Sequence, residues 1–264
     1  MIEGYDEQAF TVAHLATYRT FLILQGIIAC RAGPTTNSCA ASRAANGRLH
    51  MVKLDIISDP ICPWCYIGKT NLDKALVQFP DHPFTIEWHP FQLNPDMPAD
   101  GMDRRAYLEG KFGGKQGAIK AYAPVVDHAA RSGATINFDA IEKTPNTIDA
   151  HRLIHWAGIE QRQSFVVDLL FKAYFVEGRD IGNQEVLADI ADTAEMDAAL
   201  VTKLLGTDND IADIRARDKH SREMGVNSVP TFIVAQQHAV PGAQPPEMWV
   251  KIIKDIMDQI ASPE

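Results

Sequence analysis

The tetrapeptide Cys62-Pro63-Trp64-Cys65 constrains this chain more than any other feature. It follows an apolar run, Val52 to Ile57, and precedes a stretch with helical periodicity, so the first cysteine falls at a strand-to-helix junction. A thiol at a helix N-terminus meets unpaired backbone N–H groups and the positive end of the helix dipole, and both favour its thiolate. The second cysteine, one turn further in, is placed to attack a mixed disulfide formed by the first. Of the four cysteines, Cys30, Cys39, Cys62 and Cys65, only the last two lie beyond Met51, so no disulfide framework is expected to staple the folded part. Cys30 and Cys39 are too far apart and too far upstream to complete a zinc site with the later pair, and no metal is expected.

With 264 residues, 46% of them hydrophobic, the chain can bury a full core. A net charge of −9, with no basic stripe interleaved with aromatics, argues against a nucleic-acid partner. No apolar run approaches the roughly 18 residues of a membrane span. Residues 1–50 read differently from the rest. Phe21–Cys30 is short and apolar, and Ile27-Ile28-Ala29-Cys30 resembles a lipoprotein cleavage box, but the preceding segment carries Glu3, Asp6 and Glu7 against a single Arg19. The expectation is an extension lying upstream of the natural start. A signal within residues 1–30, making the protein exported or lipid-anchored, is the alternative.

From Met51 onward the order reads βα–β–(helices)–ββα. Val52 to Ile57 is a strand, about Pro63 to Gln78 a helix, and Phe84 to Trp88 a second strand, which together make a right-handed βαβ unit. The thiols then lie at the carboxyl edge of the first strand. From Pro98 to Gly225 no strand pattern is visible. Helices are marked there by Asn146 or Thr147, Ser164, Asn183 and Asp197 at their starts, and a last one spans about 209–224. Pro230 to Val234 and His238 to Val240 restore the strand signal, and a final helix starts at Pro245 or Pro246. The expected architecture is α/β: one domain from 51–98 with 226–264, and a helical insertion, 99–225.

Val229-Pro230 is the second chemical signal. The strand that Pro230 opens runs beside the first strand in this architecture, which brings Pro230 opposite Cys62. A cis Val229–Pro230 bond is expected there, because it removes an N–H next to the thiols and leaves the Val229 backbone free to pair with an extended peptide.

A CxxC after the first strand, a helical insert and a later Val-Pro-Thr together resemble the thioredoxin superfamily, and within it the DsbA-like group. The run Asp59-Pro60-Ile61-Cys62-Pro63-Trp64-Cys65-Tyr66-Ile67-Gly68-Lys69 is similar to that of the FrnE-like subfamily. So are Pro90-Phe91-Gln92-Leu93-Asn94-Pro95, Asn146-Thr147 with Ala150-His151-Arg152-Leu153, Gly225-Val226 with Val229-Pro230, and Gly242-Ala243-Gln244. The resemblance covers 51–264. It implies a thioredoxin fold with a large all-helical insertion, Cys62 as nucleophile, Cys65 as resolving thiol and Pro230 as the cis-proline. Pro63, Trp64 and Val229 would line the substrate. Some members carry a second cysteine pair near the C-terminus, and this chain has none. Pro241 stands where a serine commonly precedes the Gly-Ala-Gln run. A histidine between the cysteines would stabilise the reduced form more than Trp64 does, so a less oxidising protein than the relatives carrying one is expected.

The function that follows is thiol-disulfide exchange without a cofactor, on a disulfide-containing protein or a small thiol such as glutathione. The same fold also serves kappa-type glutathione transferases and 2-hydroxychromene-2-carboxylate isomerases, which use serine at the Cys62 position. Gln92, Asn94 and Gln244 offer hydrogen bonds to glutathione's carboxylates in either reading. A redox-inert binding module is the third reading, and it leaves both cysteines unexplained. Asp59, three residues before Cys62, reads either as a proton relay to Cys65 or as a turn residue. His151 and His155 share a helix face but lack a third ligand, so packing or surface roles are expected, and His89 likewise reads as structural. The glycines from Gly110 to Gly117 read as a flexible connection rather than a phosphate loop. Trp88, Phe91, Trp156, Phe165 and Phe171 are assigned to the core. With only catalytic cysteines in the folded part, a reducing cytoplasm is the expected home. Relatives with this insert often pair, so a homodimer is also among the expectations.

Overall fold

The structure, a computed structural model, describes residues 51–262. Expectations about residues 1–50 lie outside the described residues. The organising strand is β1 (Val52–Ser58), whose Leu54, Ile56 and Ile57 are almost wholly buried. It lies between β2 (Phe84–Pro90) on one side and β5 (Thr231–Val234) on the other, with β6 (His238–Pro241) beyond β5. A central strand covered on both faces needs apolar residues on both, which is why it reads as a run rather than an alternation.

β1 and β2 are parallel, with Ile56 opposite Trp88, and the crossover between them is helix α1 (Pro63–Leu76). β5 is antiparallel to β1, pairing Ile57 with Thr231, and β6 is antiparallel to β5. Leu72 and Ala75 of α1 are buried, as the helical spacing predicts. The exposed edge of β2 is partly closed by Gln163, whose amide bridges the Trp88 backbone: the Trp88 N–H donates to Oε1 at 2.8 Å, and Nε2 donates to the Trp88 carbonyl at 3.1 Å.

Between β2 and β5 lie α2 (Arg104–Lys111), α3 (Lys115–Ser132), α4 (Ile148–Ile159), α5 (Gln163–Phe171), α6 (Gln184–Thr193), α7 (Ala198–Leu205) and α8 (Ile211–Glu223). The predicted starts hold at three of them. Asn146 Oδ1 accepts the Ile148 N–H, Asn183 Oδ1 accepts that of Glu185, and Asp197 Oδ1 accepts that of Leu200.

Three local expectations need correction. The inserted segment is not purely helical, because β3 (Met102–Asp103) and β4 (Lys143–Thr144) form a two-stranded antiparallel ladder. Two-residue strands carry no alternation to read. The glycine-rich connection narrows to Gly113 and Gly114, which take positive φ between α2 and α3, while Gly110 and Gly117 lie inside those helices. Phe165 is 46% exposed rather than buried, since α5 turns Val166, Val167 and Leu170 inward instead.

Helix α9 (Pro246–Ala261) packs under the sheet through Trp249, Ile252 and Ile253, with the Trp249 ring edge-on to Phe232 at 4.7 Å. Buried Lys69 ties α1 to α5 by pairing with Asp73, at 2.6 Å, and with Asp168. Arg152 of α4 spends its guanidinium on Asp149 at 2.7 Å and on the carbonyls of Leu204, Thr207 and Asn209 at 2.6–2.8 Å, fixing the loop after α7.

Candidate active site

Cys62 is the N-cap of α1 and Pro63 the first helical residue, where a missing N–H costs nothing. The Cys62 carbonyl accepts the Cys65 and Tyr66 N–H groups, so the two cysteines share the first turn of one helix. Both are free, buried thiols. Burial pushes the Cys65 thiol well above its ordinary value, and the neighbouring Cys62 pushes the same way, against hydrogen bonds from the Ser58 hydroxyl and the Asp59 backbone.

The Val229–Pro230 peptide is cis, and the Cys62 Sγ–H donates to the Val229 carbonyl at 3.6 Å. The segment before β5 therefore faces the thiols, as its place beside β1 dictates. The close approach depends on Gly68: a Cβ there would stand 3.0 Å from Pro230 Cγ and 3.4 Å from Phe232. Trp64 is half-buried and meets His128 of α3 edge-on, with ring centroids 5.0 Å apart. Burial lowers His128 below its ordinary value, so it is neutral at neutral pH.

Behind the thiols lies a second group. Asp59 is fully buried and accepts the Leu93 N–H at 2.7 Å and the Ile61 N–H at 3.3 Å. Burial still drives its pKa up to about 7, and the charge of Asp218 adds to the rise. His151 of α4 faces it, with Nε2 3.8 Å from Asp59 Oδ1. Burial drives His151 down to about 4, and its ring hydrogen bonds to the Phe91 carbonyl. That leaves Nε2 as a buried acceptor without a hydrogen-bond partner among the described residues. His151 and Ser58 line one small cavity, next to Trp88 and Phe171. Two buried acceptors face each other here, an arrangement that calls for a proton or a water between them. Reading His151 as a packing residue misses this, because its partner is 92 positions away in sequence (151 less 59).

Gln92 is turned into the interior. Its N–H donates to Asp218, its carbonyl accepts from Arg222, and its side-chain amide reaches Asn146 and Thr147. Asn94 lies toward α2, its Oδ1 accepting from Tyr107 at 2.6 Å and Lys111 at 3.4 Å. Gln244 closes its own turn by donating to the Pro241 carbonyl, and its backbone carbonyl accepts from Asn71 of α1. His89 and His155 both receive Arg217. Asp55, Glu87 and His89 place ligand-type atoms within 4.8 Å of one another, but Lys53 already sits 2.8–3.0 Å from both carboxylates.

The thiol pair at a helix N-terminus, the facing Val229-Pro230 and the sheet order coincide with a family-level match: a model described as DSBA-like thioredoxin domain matches residues 53–254. The chain belongs to the DSBA-like thioredoxin domain family. A probable DsbA oxidoreductase from Streptomyces coelicolor is 27% identical, with a TM-score of 0.70, covering 79% of this chain and 91% of that one. A 2-hydroxychromene-2-carboxylate isomerase shares the fold at 15% identity and a TM-score of 0.60, covering 79% and 98%. A cytosolic disulfide reductase, DsbM from Pseudomonas aeruginosa in a structure with GSH, shares it at 15% identity and 0.58, covering 78% and 99%. The same fold is thus found in disulfide oxidoreductases and in an isomerase. Among the described residues no helix is long and apolar enough to cross a membrane.

Proposed function

We propose that this DSBA-like protein is a thiol-disulfide oxidoreductase of the FrnE-like type. The observation that carries the reading is two free thiols in the first turn of α1, the outer one against the Val229 carbonyl beside cis Pro230. Cys62 Sγ attacks one sulfur of a substrate disulfide, forming a mixed disulfide and releasing the other half as a thiolate. Cys65 then loses its proton and attacks Cys62 Sγ, which expels the second half. The substrate gains two electrons and the protein holds a Cys62–Cys65 disulfide. An external thiol restores the dithiol by the reverse exchange. Pro63, Trp64 and Val229 form the face on which substrate lies, and the Val229 backbone pairs with it as a strand.

Cys65 needs a base, since burial holds its proton. Its sulfur contacts the Ser58 hydroxyl, and Ser58 shares a cavity with His151, which faces Asp59. The proton leaves by that route to the Asp59–His151 pair, and a carboxyl with a pKa of about 7 is suited to hold it and return it. Glutathione is a substrate in keeping with the DsbM neighbour, and a reducing compartment suits a dithiol of this kind.

The second reading, an isomerase or transferase that activates glutathione, draws on the isomerase neighbour. It has no use for Cys65. Reduction of insulin and of a glutathione mixed disulfide by wild type, Cys62→Ser and Cys65→Ser separates the two. The redox reading requires both variants to lose turnover. Equal activity in all three ends it, and loss in Cys62→Ser alone favours the second reading.

A further inference from the structure

Helix α2 carries Arg104, Tyr107 and Lys111 on one face, at i, i+3 and i+7. Arg104 is buried, yet no carboxylate pairs with it among the described residues. Its guanidinium donates only to phenols, to Tyr174 at 3.1 Å and to Tyr122 at 3.3 Å, with its carbon 5.4 Å from the centre of the Tyr122 ring. Among the described residues Lys111 likewise meets neutral partners alone, the Tyr107 hydroxyl at 2.7 Å and Asn94 Oδ1 at 3.4 Å. Lys111 is exposed and open to water, so the unmet charge is that of buried Arg104. A buried charge held only by neutral groups is costly unless an anion completes it.

Two donors in this cluster are left over. Tyr174 passes its hydrogen to the Lys143 carbonyl, whereas Tyr122 accepts from Arg104 and has no acceptor for its own hydrogen among the described residues. Asn94 Nδ2 is buried without a partner among the described residues. Burial raises the Tyr122 phenol above its ordinary value, so it remains a donor at neutral pH. The cluster also adjoins the thiols. Tyr122 shares an apolar contact cluster with Trp64 and Ala243, and the Cys62 sulfur is close enough to act on the Tyr122 phenol electrostatically.

We propose that Arg104, Tyr107, Lys111, Tyr122 and Asn94 form an anion subsite that binds a carboxylate of a small thiol or disulfide substrate while its sulfur meets Cys62. The assignment rests on the exchange reading above and specifies its substrate class. It moves carboxylate recognition from interior Gln92 and self-bonded Gln244 to α2 and α3. Tyr122 and Lys111, half-exposed and exposed, meet the carboxylate, and Arg104 polarises Tyr122 from behind.

The test is binding, with a probe that has no reactive sulfur. S-methylglutathione and its diethyl ester are titrated calorimetrically into the reduced full-length protein. The expected result is at least about tenfold tighter binding of the acid, weakening as salt is raised, since a hydrogen bond to a charged group carries this much. Tyr122→Phe and Lys111→Met, both conservative in bulk, should each cut that preference severalfold. Arg104→Gln should abolish it, with near-UV circular dichroism checking that the variant is folded. Equal affinity for acid and ester overturns the subsite, as does no binding of either probe or full preference retained in Tyr122→Phe and Lys111→Met. Turnover of glutathione disulfide, compared with Cys62→Ser, is scored separately. Discrimination in binding without Cys62-dependent turnover keeps the subsite and removes the redox reading, and turnover without discrimination does the reverse.

Discussion

Replacing Asp59 with asparagine separates the charge of this side chain from its shape. The carboxyl is fully buried and accepts two backbone N–H groups, but burial outweighs them and raises its pKa from the ordinary 3.8 to about 7. The folded protein therefore binds this proton more tightly than the unfolded chain does. Its contribution to stability is complete below about pH 4 and is lost as the pH rises through about 7, levelling off above that. At 1.36 kcal/mol per pH unit, the span corresponds to a loss of about 4 kcal/mol. Asparagine does not titrate. It keeps one acceptor oxygen but presents an NH2 to one of the two N–H donors, which costs about 1.5–3 kcal/mol. Asp59→Asn should thus be less stable than wild type near pH 4 and equal to it or more stable near pH 8, with the difference swinging by about 4 kcal/mol. Urea unfolding of both reduced proteins across that range measures the swing, and the other titrating groups cancel in the difference. His151, at about 4, stays neutral over most of the window. A difference that holds constant within about 1 kcal/mol from acid to mild alkali would refute the reasoning. Asp59 would then be an ordinary carboxylate, unable to take the Cys65 proton at neutral pH.

Alkylation of the reduced protein at neutral pH should label Cys62 before Cys65, because burial holds the Cys65 proton; peptide mass spectrometry reads the order, and early labelling of Cys65 contradicts the assignment. Cys65→Ser should accumulate a Cys62 mixed disulfide with glutathione, visible as an intact mass increment that wild type clears. Gly68→Val should cost about 1–3 kcal/mol and slow exchange, since its branched side chain must displace Pro230; unchanged stability and rate would show that α1 has room. Arg152→Met should cost about 3–5 kcal/mol in urea unfolding and Arg152→Lys should not restore it, as three carbonyls and Asp149 lose a planar donor fork. Trp64→His should raise the reduction potential from a wild-type value well below about −120 mV, measured against a glutathione buffer.

What could be read in advance, and what could not, follows from the range of the interactions involved. The junction at Cys62 is local: an apolar strand, a proline at the first helical position and two cysteines within one turn carry their own geometry. Sheet order was legible for a related reason, because strand, helix and strand at that spacing leave one handed solution. Helix α3 was not, since Pro124 sits inside it and Gly117 near its start. Its ending is nevertheless an ordinary one, with Gly133 left-handed and the Ala134 N–H reaching back to the Ala129 carbonyl. Missing α2 and α3 meant missing the helix faces that carry Arg104 and Tyr122. The same limit applies to pairing. Nothing in the order of residues shows that Arg104 meets no acid among the described residues, or that His151 and Asp59 turn two acceptors toward each other, because each is a statement about which groups fail to meet. Gln92 shows the converse: an amide in a suggestive loop, spent on Asn146 and Thr147 just ahead of α4, while its backbone is held by Asp218 and Arg222 of α8. Residue type and spacing therefore locate the sulfur chemistry, whereas the groups that manage its protons and choose its substrate emerge only from charges the fold has left unpaired.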